Sequence, residues 1–291
     1  MNLKGIIPYL VTPYDPSSEQ VKLASLEKLA ASLIEKGVHG LSPLGSSGEV
    51  HYLSQDDKRS VVQTVVNVAK GQVPVVPGIT AFSIKDTIEQ INELEKIGVD
   101  AVVIILNAYF PLSDDQIINF FKTVARSVSC PIVLYNNPQF TNCDLTTNII
   151  IELAEEPNIQ YFKDARGQTG RLLSIMNQVG DQLQIFSASA HIPLHVMQLG
   201  GVGWMAGPAC AYPEQALKLY DLATTGKWGE ANKIQQKLWH ANEAFQKFNL
   251  VPCLKALLNM QGYDVGAPIP PLTGLDANEQ NELRNMVRNI E

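Results

Sequence analysis

The chain has 291 residues, 45% hydrophobic and 18% charged, with a formal net charge of −7. That length suits one large α/β barrel or two small domains with a sizeable core, and an acidic balance without any basic block excludes nucleic acid as the main partner, because phosphate binding needs a basic face. The N-terminal "MNLKGIIPYLVTPYD" meets Pro8 and Pro13 too early for a signal peptide or a membrane span, so a soluble cytoplasmic protein with no membrane partner is expected.

Strand and helix patterns then alternate in chain order. "GIIPYLVT" (5–12) reads as a buried strand, followed by "VKLASLEKLAASLIEKG" (21–37), whose Leu23, Leu26, Leu29 and Leu33 share one helical face before Gly37. "VHGLSPLG" (38–45) returns to strand. Ser54 then opens a helix, with Asp57 in the capping-box position and Val61, Val62, Val65 and Val68 as the buried stripe. After the strand pattern "VPVVPGI" (73–79), Ser83 and Asp86 open a helix carrying Ile88, Ile91, Leu94 and Ile97. Residues 99–106, 130–135, 158–163, 183–188 and 201–207 complete eight strand candidates with helical stretches between them. Helix and strand in strict alternation with short links predict a parallel (β/α)8 barrel, with a doubly wound open sheet as the alternative.

After about residue 225 the strand patterns stop. Residues 229–248, 252–263 and 278–290 read as three helices, the last two joined by "GAPIPPLTG" (266–274). The expected organisation is a catalytic barrel over 1–224 and a three-helix C-terminal extension over 225–291. Cys130, Cys143, Cys210 and Cys253 are far apart and read as reduced, unpaired thiols.

In such a barrel the chemistry sits at the carboxyl ends of the strands. Strand two ends in Gly45-Ser46-Ser47-Gly48-Glu49, strand four leads to Asn107 and Tyr109, strand five ends in Tyr135-Asn136 and strand six in Lys163-Asp164. Lys163 follows an apolar run, and lysines are almost never fully buried unless paired. Inside a barrel, desolvation would favour the neutral, nucleophilic amine of an imine former, whereas a strand ending one residue earlier would leave Lys163 solvated. Nearby phenols could relay the protons that imine chemistry moves.

The glycine–serine loop is either a tight turn or an anion cradle, since small residues let backbone N–H groups converge, and it lacks the ending of a nucleotide-binding P-loop. Glu49 reads as a brace for this loop, not an acid. "GVGWMA" (201–206) fits a dinucleotide fingerprint only loosely, with Pro208 close behind. His191 and His195 lack a third ligand, so no metal site is expected. Trp228 and Trp239 read as core or subunit contacts.

Taken together, Gly45-Ser46-Ser47-Gly48-Glu49, Tyr135-Asn136-Asn137-Pro138 and Phe162-Lys163-Asp164 resemble the signatures of the dihydrodipicolinate synthase/N-acetylneuraminate lyase superfamily. The likeness extends over nearly the whole chain, from "LVTPYD" to "QLGGVG" and the helical tail. It implies a homotetramer or homodimer and a metal-independent class I aldolase with no cofactor. On this resemblance, Lys163 forms a Schiff base with pyruvate or another 2-oxo acid, and Tyr135 transfers protons. Ser46 and Ser47, with Gly45, hold the 2-oxo acid carboxylate. Tyr109 completes a proton relay from the adjacent subunit, and the Met205 carbonyl lies near the lysine.

Departures from the synthase concern the second substrate. Phe140 stands where the synthase has the arginine that binds the aldehyde's carboxylate, and a phenyl ring cannot pair with a carboxylate. Arg166 replaces a small hydroxyl residue and could supply the missing charge from another direction, while Ala188 replaces a glycine. Val50, His51 and Phe82 differ from the synthase's lysine-feedback site. The expected activity is a Schiff-base lyase or aldolase. The alternatives are 4-hydroxy-tetrahydrodipicolinate synthase, a 2-keto-3-deoxy sugar acid aldolase or dehydratase, a hydratase-aldolase for an aromatic substrate, and a non-catalytic barrel that binds a 2-oxo acid.

Overall fold

Short apolar runs bounded by proline and glycine give this chain its strands, and their two-residue side-chain period sorts them into an inner and an outer face. The computed structural model describes residues 2–188 and 192–290. Strand β1 (Gly5–Pro8) is followed by a small antiparallel ribbon, β2 (Tyr14–Asp15) with β3 (Gln20–Val21). The remaining strands are β4 (Gly78–Ala81), β5 (Val102–Leu106), β6 (Ile132–Asn136), β7 (Ile159–Asp164), β8 (Gln184–Ser187) and β9 (Gly203–Ala206). Seven of them form one parallel sheet in the order β1-β9-β8-β7-β6-β5-β4.

The predicted second strand differs from expectation. Residues 38–45 make only isolated parallel bridges, Tyr9 with Ser42 on one side and Leu41 with Val75 on the other. The cause is proline: Pro43, Pro74 and Pro77 have no N–H to donate, so a continuous ladder cannot form. The bonds that remain span both gaps. Ser42 N–H donates to Pro8 O at 3.0 Å, and Leu41 N–H donates to Pro74 O at 2.9 Å. The segment therefore joins the two sheet edges, and the curled parallel sheet is an α/β barrel.

Helices cover the outside, and their starts carry the caps expected at Ser54 and Ser83 and a further one at Ser113. Ser54 accepts from Asp57 N–H in a full capping box before Gln55–Ala69, Ser83 accepts from Asp86 N–H before Ile84–Ile97, and Ser113 caps Asp114–Ser127 with Gln116. Their apolar stripes meet the outward strand residues Ile104, Leu134, Phe162 and Trp204 in one cluster, which continues into Leu238, Leu254 and Leu283 of the helices Trp228–Phe248, Leu250–Met260 and Ala277–Val287. A second, smaller cluster fills the barrel interior: Ile7, Tyr9, Val103, Ile105, Val133, Tyr135, Tyr161, Phe186 and Met205. No helix among the described residues is long and apolar enough to cross a membrane.

Candidate active site

Parity places Lys163. In β7, Tyr161 points into the barrel and Phe162 out of it, so Lys163 points in again. It is 2% exposed, and its register partner on β6 is Tyr135. The lysine is therefore inside the barrel and not at a solvated strand end. Its Nζ lies 3.6 Å from the centre of the Tyr9 ring and 4.1 Å from that of Tyr135. Two opposing effects act on the amine. An aromatic face stabilises a cation by ~0.5–2 kcal/mol, while full burial can shift a lysine by up to ~3–5 pKa units, each about 1.4 kcal/mol. Burial wins, and it holds the Lys163 pKa well below the ordinary lysine range. The shift favours the neutral amine, the form with a free lone pair.

The phenols move the other way. Burial pushes the Tyr135 pKa up, opposed by hydrogen bonds from Asn137 and Ser46. Asn137 Nδ2 donates to the Tyr135 hydroxyl at 2.9 Å. Tyr9 is raised strongly by burial and by its neighbour Tyr135, opposed by Ser42 beside its buried hydroxyl. Both therefore remain protonated, able to donate and to relay a proton.

Residues 45–49 fold into a one-turn 3₁₀ helix, Ser46–Gly48, bracketed by two non-glycine residues in the left-handed region, Leu44 (φ 60°) and Glu49 (φ 55°). Ser47 Oγ donates to Tyr9 O at 3.2 Å and Thr12 Oγ1 donates to Gly48 O at 2.7 Å, tying the turn to the end of the first strand. Gly45 is required here by close approach, because a Cβ would lie 2.0 Å from the Tyr9 ring. The turn, Tyr9, Tyr135 and Lys163 face one cavity of 1230 Å³. Its outer wall includes Phe140 and Arg166, together with Asn242 and Asn249 from the C-terminal helices.

Other predicted positions lie elsewhere. Met205 and Ala188 belong to the interior cluster and do not line the cavity. Tyr109 is 85% exposed, stacked edge-on against Phe110 with ring centres 5.0 Å apart, and is not brought to the cavity within this chain. Phe140 sits in the short helix Pro138–Thr141 with its ring exposed at the rim. Arg166 lies on the cavity wall, and its guanidinium is paired, with Nη2 2.8 Å from Asp144 Oδ2. Burial raises the carboxyl pKa of Asp164, which follows the lysine, and its ion pair with Arg171 opposes that rise.

The remaining motifs are structural in this fold. "GVGWMA" forms β9, and Gly203 packs where a Cβ would lie 2.1 Å from Gly5 O. His195 is exposed in Pro193–Gln198, and His191 falls outside the described residues. The four cysteines are buried, with thiols pushed up to about 11 for Cys143 and about 12 for the others, which leaves them without reactive thiolate. Among the described residues no group of three or more His, Cys, Asp or Glu is arranged to hold a metal ion. Val50 is buried and Phe82 exposed, while His51 lies near Asn107 with its pKa lowered by burial. Trp228 is partly exposed and Trp239 half-buried.

Sequence reasoning missed Tyr9 and Asn137. Tyr9 was accessible through parity, two residues after the inward Ile7. Asn137 carries no such signal, because its reach to the phenol depends on the turn after β6.

The profile of the dihydrodipicolinate synthetase family matches residues 2–290. A 4-hydroxy-tetrahydrodipicolinate synthase of Desulforudis audaxviator is 31% identical over 287 residues, covering 98% of this chain and 97% of the relative. Among solved structures, YagE of E. coli K12, a prophage protein of the dihydrodipicolinic acid synthase family in complex with pyruvate, aligns with TM-score 0.93 at 26% identity, covering 99% of this chain and 98% of its own. The dihydrodipicolinate synthase of Cyanidioschyzon merolae with lysine bound aligns with TM-score 0.94 at 25% identity, covering 99% and 98%.

Proposed function

The chain belongs to the dihydrodipicolinate synthetase family, and from that premise we propose that it is a Schiff-base lyase or aldolase acting on pyruvate or another 2-oxo acid through Lys163. The observation that carries this reading is a lysine amine buried inside the barrel against the rings of Tyr9 and Tyr135, where burial favours its neutral form. The pyruvate complex of YagE supports the choice of 2-oxo acid.

In the proposed sequence the 2-oxo acid carboxylate docks on Ser46 and Ser47, which fixes the keto carbon over Lys163. The Nζ lone pair attacks that carbon. The N–C bond forms, the carbonyl π pair moves to oxygen, and Tyr135 delivers the proton that converts it to a hydroxyl. The Tyr135 phenolate takes a proton from the new ammonium nitrogen and returns it to the hydroxyl; the C–O bond breaks, water leaves, and the nitrogen lone pair closes the iminium. Loss of a proton from the adjacent carbon yields an enamine, whose carbon attacks an aldehyde; the reverse course breaks the same carbon–carbon bond. No metal or cofactor takes part in these steps. Tyr109, exposed on the loop after β5, extends the relay in the same reading once a second copy of the chain covers it, in a homodimer or homotetramer.

The name of the Desulforudis relative favours a second reading, 4-hydroxy-tetrahydrodipicolinate synthase. Two features weigh against it. Phe140 offers no charge, and Arg166 is already held by Asp144. An aldehyde without a carboxylate at that point suits this cavity better.

Enamine formation tests the reading without knowledge of the aldehyde. In deuterium oxide the methyl hydrogens of pyruvate should exchange in the presence of the protein, followed by proton NMR, and Lys163→Ala should abolish the exchange. Exchange at the uncatalysed rate with the wild-type protein would refute the proposal.

A further inference from the structure

Glu49 is the one acidic side chain of the Ser46–Ser47 turn, and the structure buries it. It is 3% exposed, and Lys255, on the helix Leu250–Met260, is 1% exposed. Lys255 Nζ lies 2.5 Å from Glu49 Oε2. The other carboxylate oxygen, Oε1, accepts from Ile269 N–H at 2.6 Å, and Lys255 Nζ also donates to Ala267 O at 2.7 Å. One carboxylate and one ammonium thus join three segments: the turn after the second barrel position, the helix 250–260 and the proline-rich stretch 266–274.

The backbone shows what this link holds in place. Glu49 occupies the left-handed region at φ 55°, a conformation that non-glycine residues adopt only when the surroundings over-determine it. Its N–H donates to Ser46 O at 3.2 Å, closing the 3₁₀ turn that presents Ser46 and Ser47 to the cavity. On the far side, Ser47 is held by Tyr9 O and Gly48 by Thr12. The turn is therefore fixed from the barrel at one end and from the C-terminal segment at the other. Neither Glu49 nor Lys255 lines the cavity, so neither touches a substrate there.

We propose that the buried Glu49–Lys255 pair is a positioning device for 2-oxo acid binding: through it the C-terminal segment sets the carboxylate-binding turn at Ser46–Ser47. A buried ion pair is weak support for stability, because an uncharged pair of similar size often does as well. Retaining one beside a substrate-binding turn is accounted for by geometry. An ion pair from the helix and a backbone N–H from the proline-rich stretch hold the carboxylate at both oxygens, and with it a strained backbone, more tightly than apolar packing does. This inference rests on the Schiff-base reading of the site, since it assigns the turn to the 2-oxo acid carboxylate.

The test is the dependence of methyl-hydrogen exchange on pyruvate concentration in the full chain. Three variants are compared with wild type: Glu49→Gln, Lys255→Met and the uncharged double variant Glu49→Gln/Lys255→Met. The single variants leave a lone buried partner and can fail to fold. The double variant leaves no unpaired charge and keeps the measurement available. Wild-type exchange establishes the underlying reading independently; its absence overturns that reading and with it the basis of this one. Given wild-type exchange, the double variant should show a half-saturating pyruvate concentration raised at least about 10-fold, with the saturated rate within about 3-fold of wild type and an unchanged pH profile; a 10-fold change corresponds to about 1.4 kcal/mol of lost binding. An unchanged half-saturation, or a fall in the saturated rate that matches or exceeds the change in half-saturation, would overturn the positioning role.

Discussion

Lys163 and Tyr135 are direct register partners on adjacent parallel strands, and the lysine nitrogen lies 4.1 Å from the centre of the tyrosine ring. Burial acts on both and in opposite senses, lowering the amine pKa and raising the phenol pKa. Each shift favours the neutral form, which suits the nucleophile and the proton donor of the proposed chemistry. One environment thus serves both halves of the proposed chemistry.

The lysine should weaken the fold that holds it. Its pKa in the folded chain lies below the ordinary 10.5, so between the folded and unfolded values the unfolded chain binds more protons. Stability from this group therefore rises with pH across that window; the penalty is complete below the folded pKa and absent above 10.5. Lys163→Met should abolish activity yet stabilise the protein at pH 7 by ~1–3 kcal/mol, measured by urea unfolding. The gain should shrink as the pH approaches 10.5. A variant less stable than wild type at pH 7 would contradict this assignment.

Tyr135→Phe keeps the ring over Lys163 and removes only the hydroxyl that Asn137 and Ser46 contact. The expected result is a kcat lower by about 10²–10³, with the KM for the 2-oxo acid within about 3-fold, because the phenol is assigned to proton transfer and not to uniform binding. Steady-state kinetics with any accepted aldehyde reads both.

The acceptor half of the cavity can be recharged. Asp144 holds the Arg166 guanidinium at 2.8 Å. Asp144→Asn should release it and raise kcat/KM for aldehydes that carry a carboxylate, such as aspartate semialdehyde, by about 10-fold relative to neutral ones, the scale of one charge-assisted contact. Wild type should use the carboxylated aldehyde poorly. A substrate panel followed by pyruvate consumption checks both statements.

Regulation by lysine should be absent. His51 is exposed, with a pKa lowered by desolvation, and Phe82 presents an exposed ring where the lysine-regulated synthase differs. The initial rate should be unchanged by lysine at concentrations that saturate a regulated relative.

Much of this was legible in the sequence, for reasons that differ by residue. Strand alternation with helices is a local signal, so the barrel order and the caps at Ser54 and Ser83 could be read directly. Residues 38–45 could not be classed so simply, because their apolar pattern fits a strand while prolines in them and in their neighbours remove the ladder. Lys163 was legible as a candidate, but its burial depended on inward parity, which the inward Tyr161 and the Tyr135–Lys163 register settle. The Arg166–Asp144 pair joins loops after two different strands, and the Glu49–Lys255 pair spans more than two hundred residues. No periodicity reports contacts of that range.

The central claim is a covalent bond between Lys163 and the keto carbon of a 2-oxo acid, and borohydride trapping with peptide mass mapping measures it most directly. Incubation with pyruvate and borohydride should reduce the imine and add one pyruvate-derived mass to the peptide that contains Lys163, with loss of activity in proportion and no adduct in Lys163→Ala. No adduct in wild type, or an equal adduct in Lys163→Ala, would contradict the account.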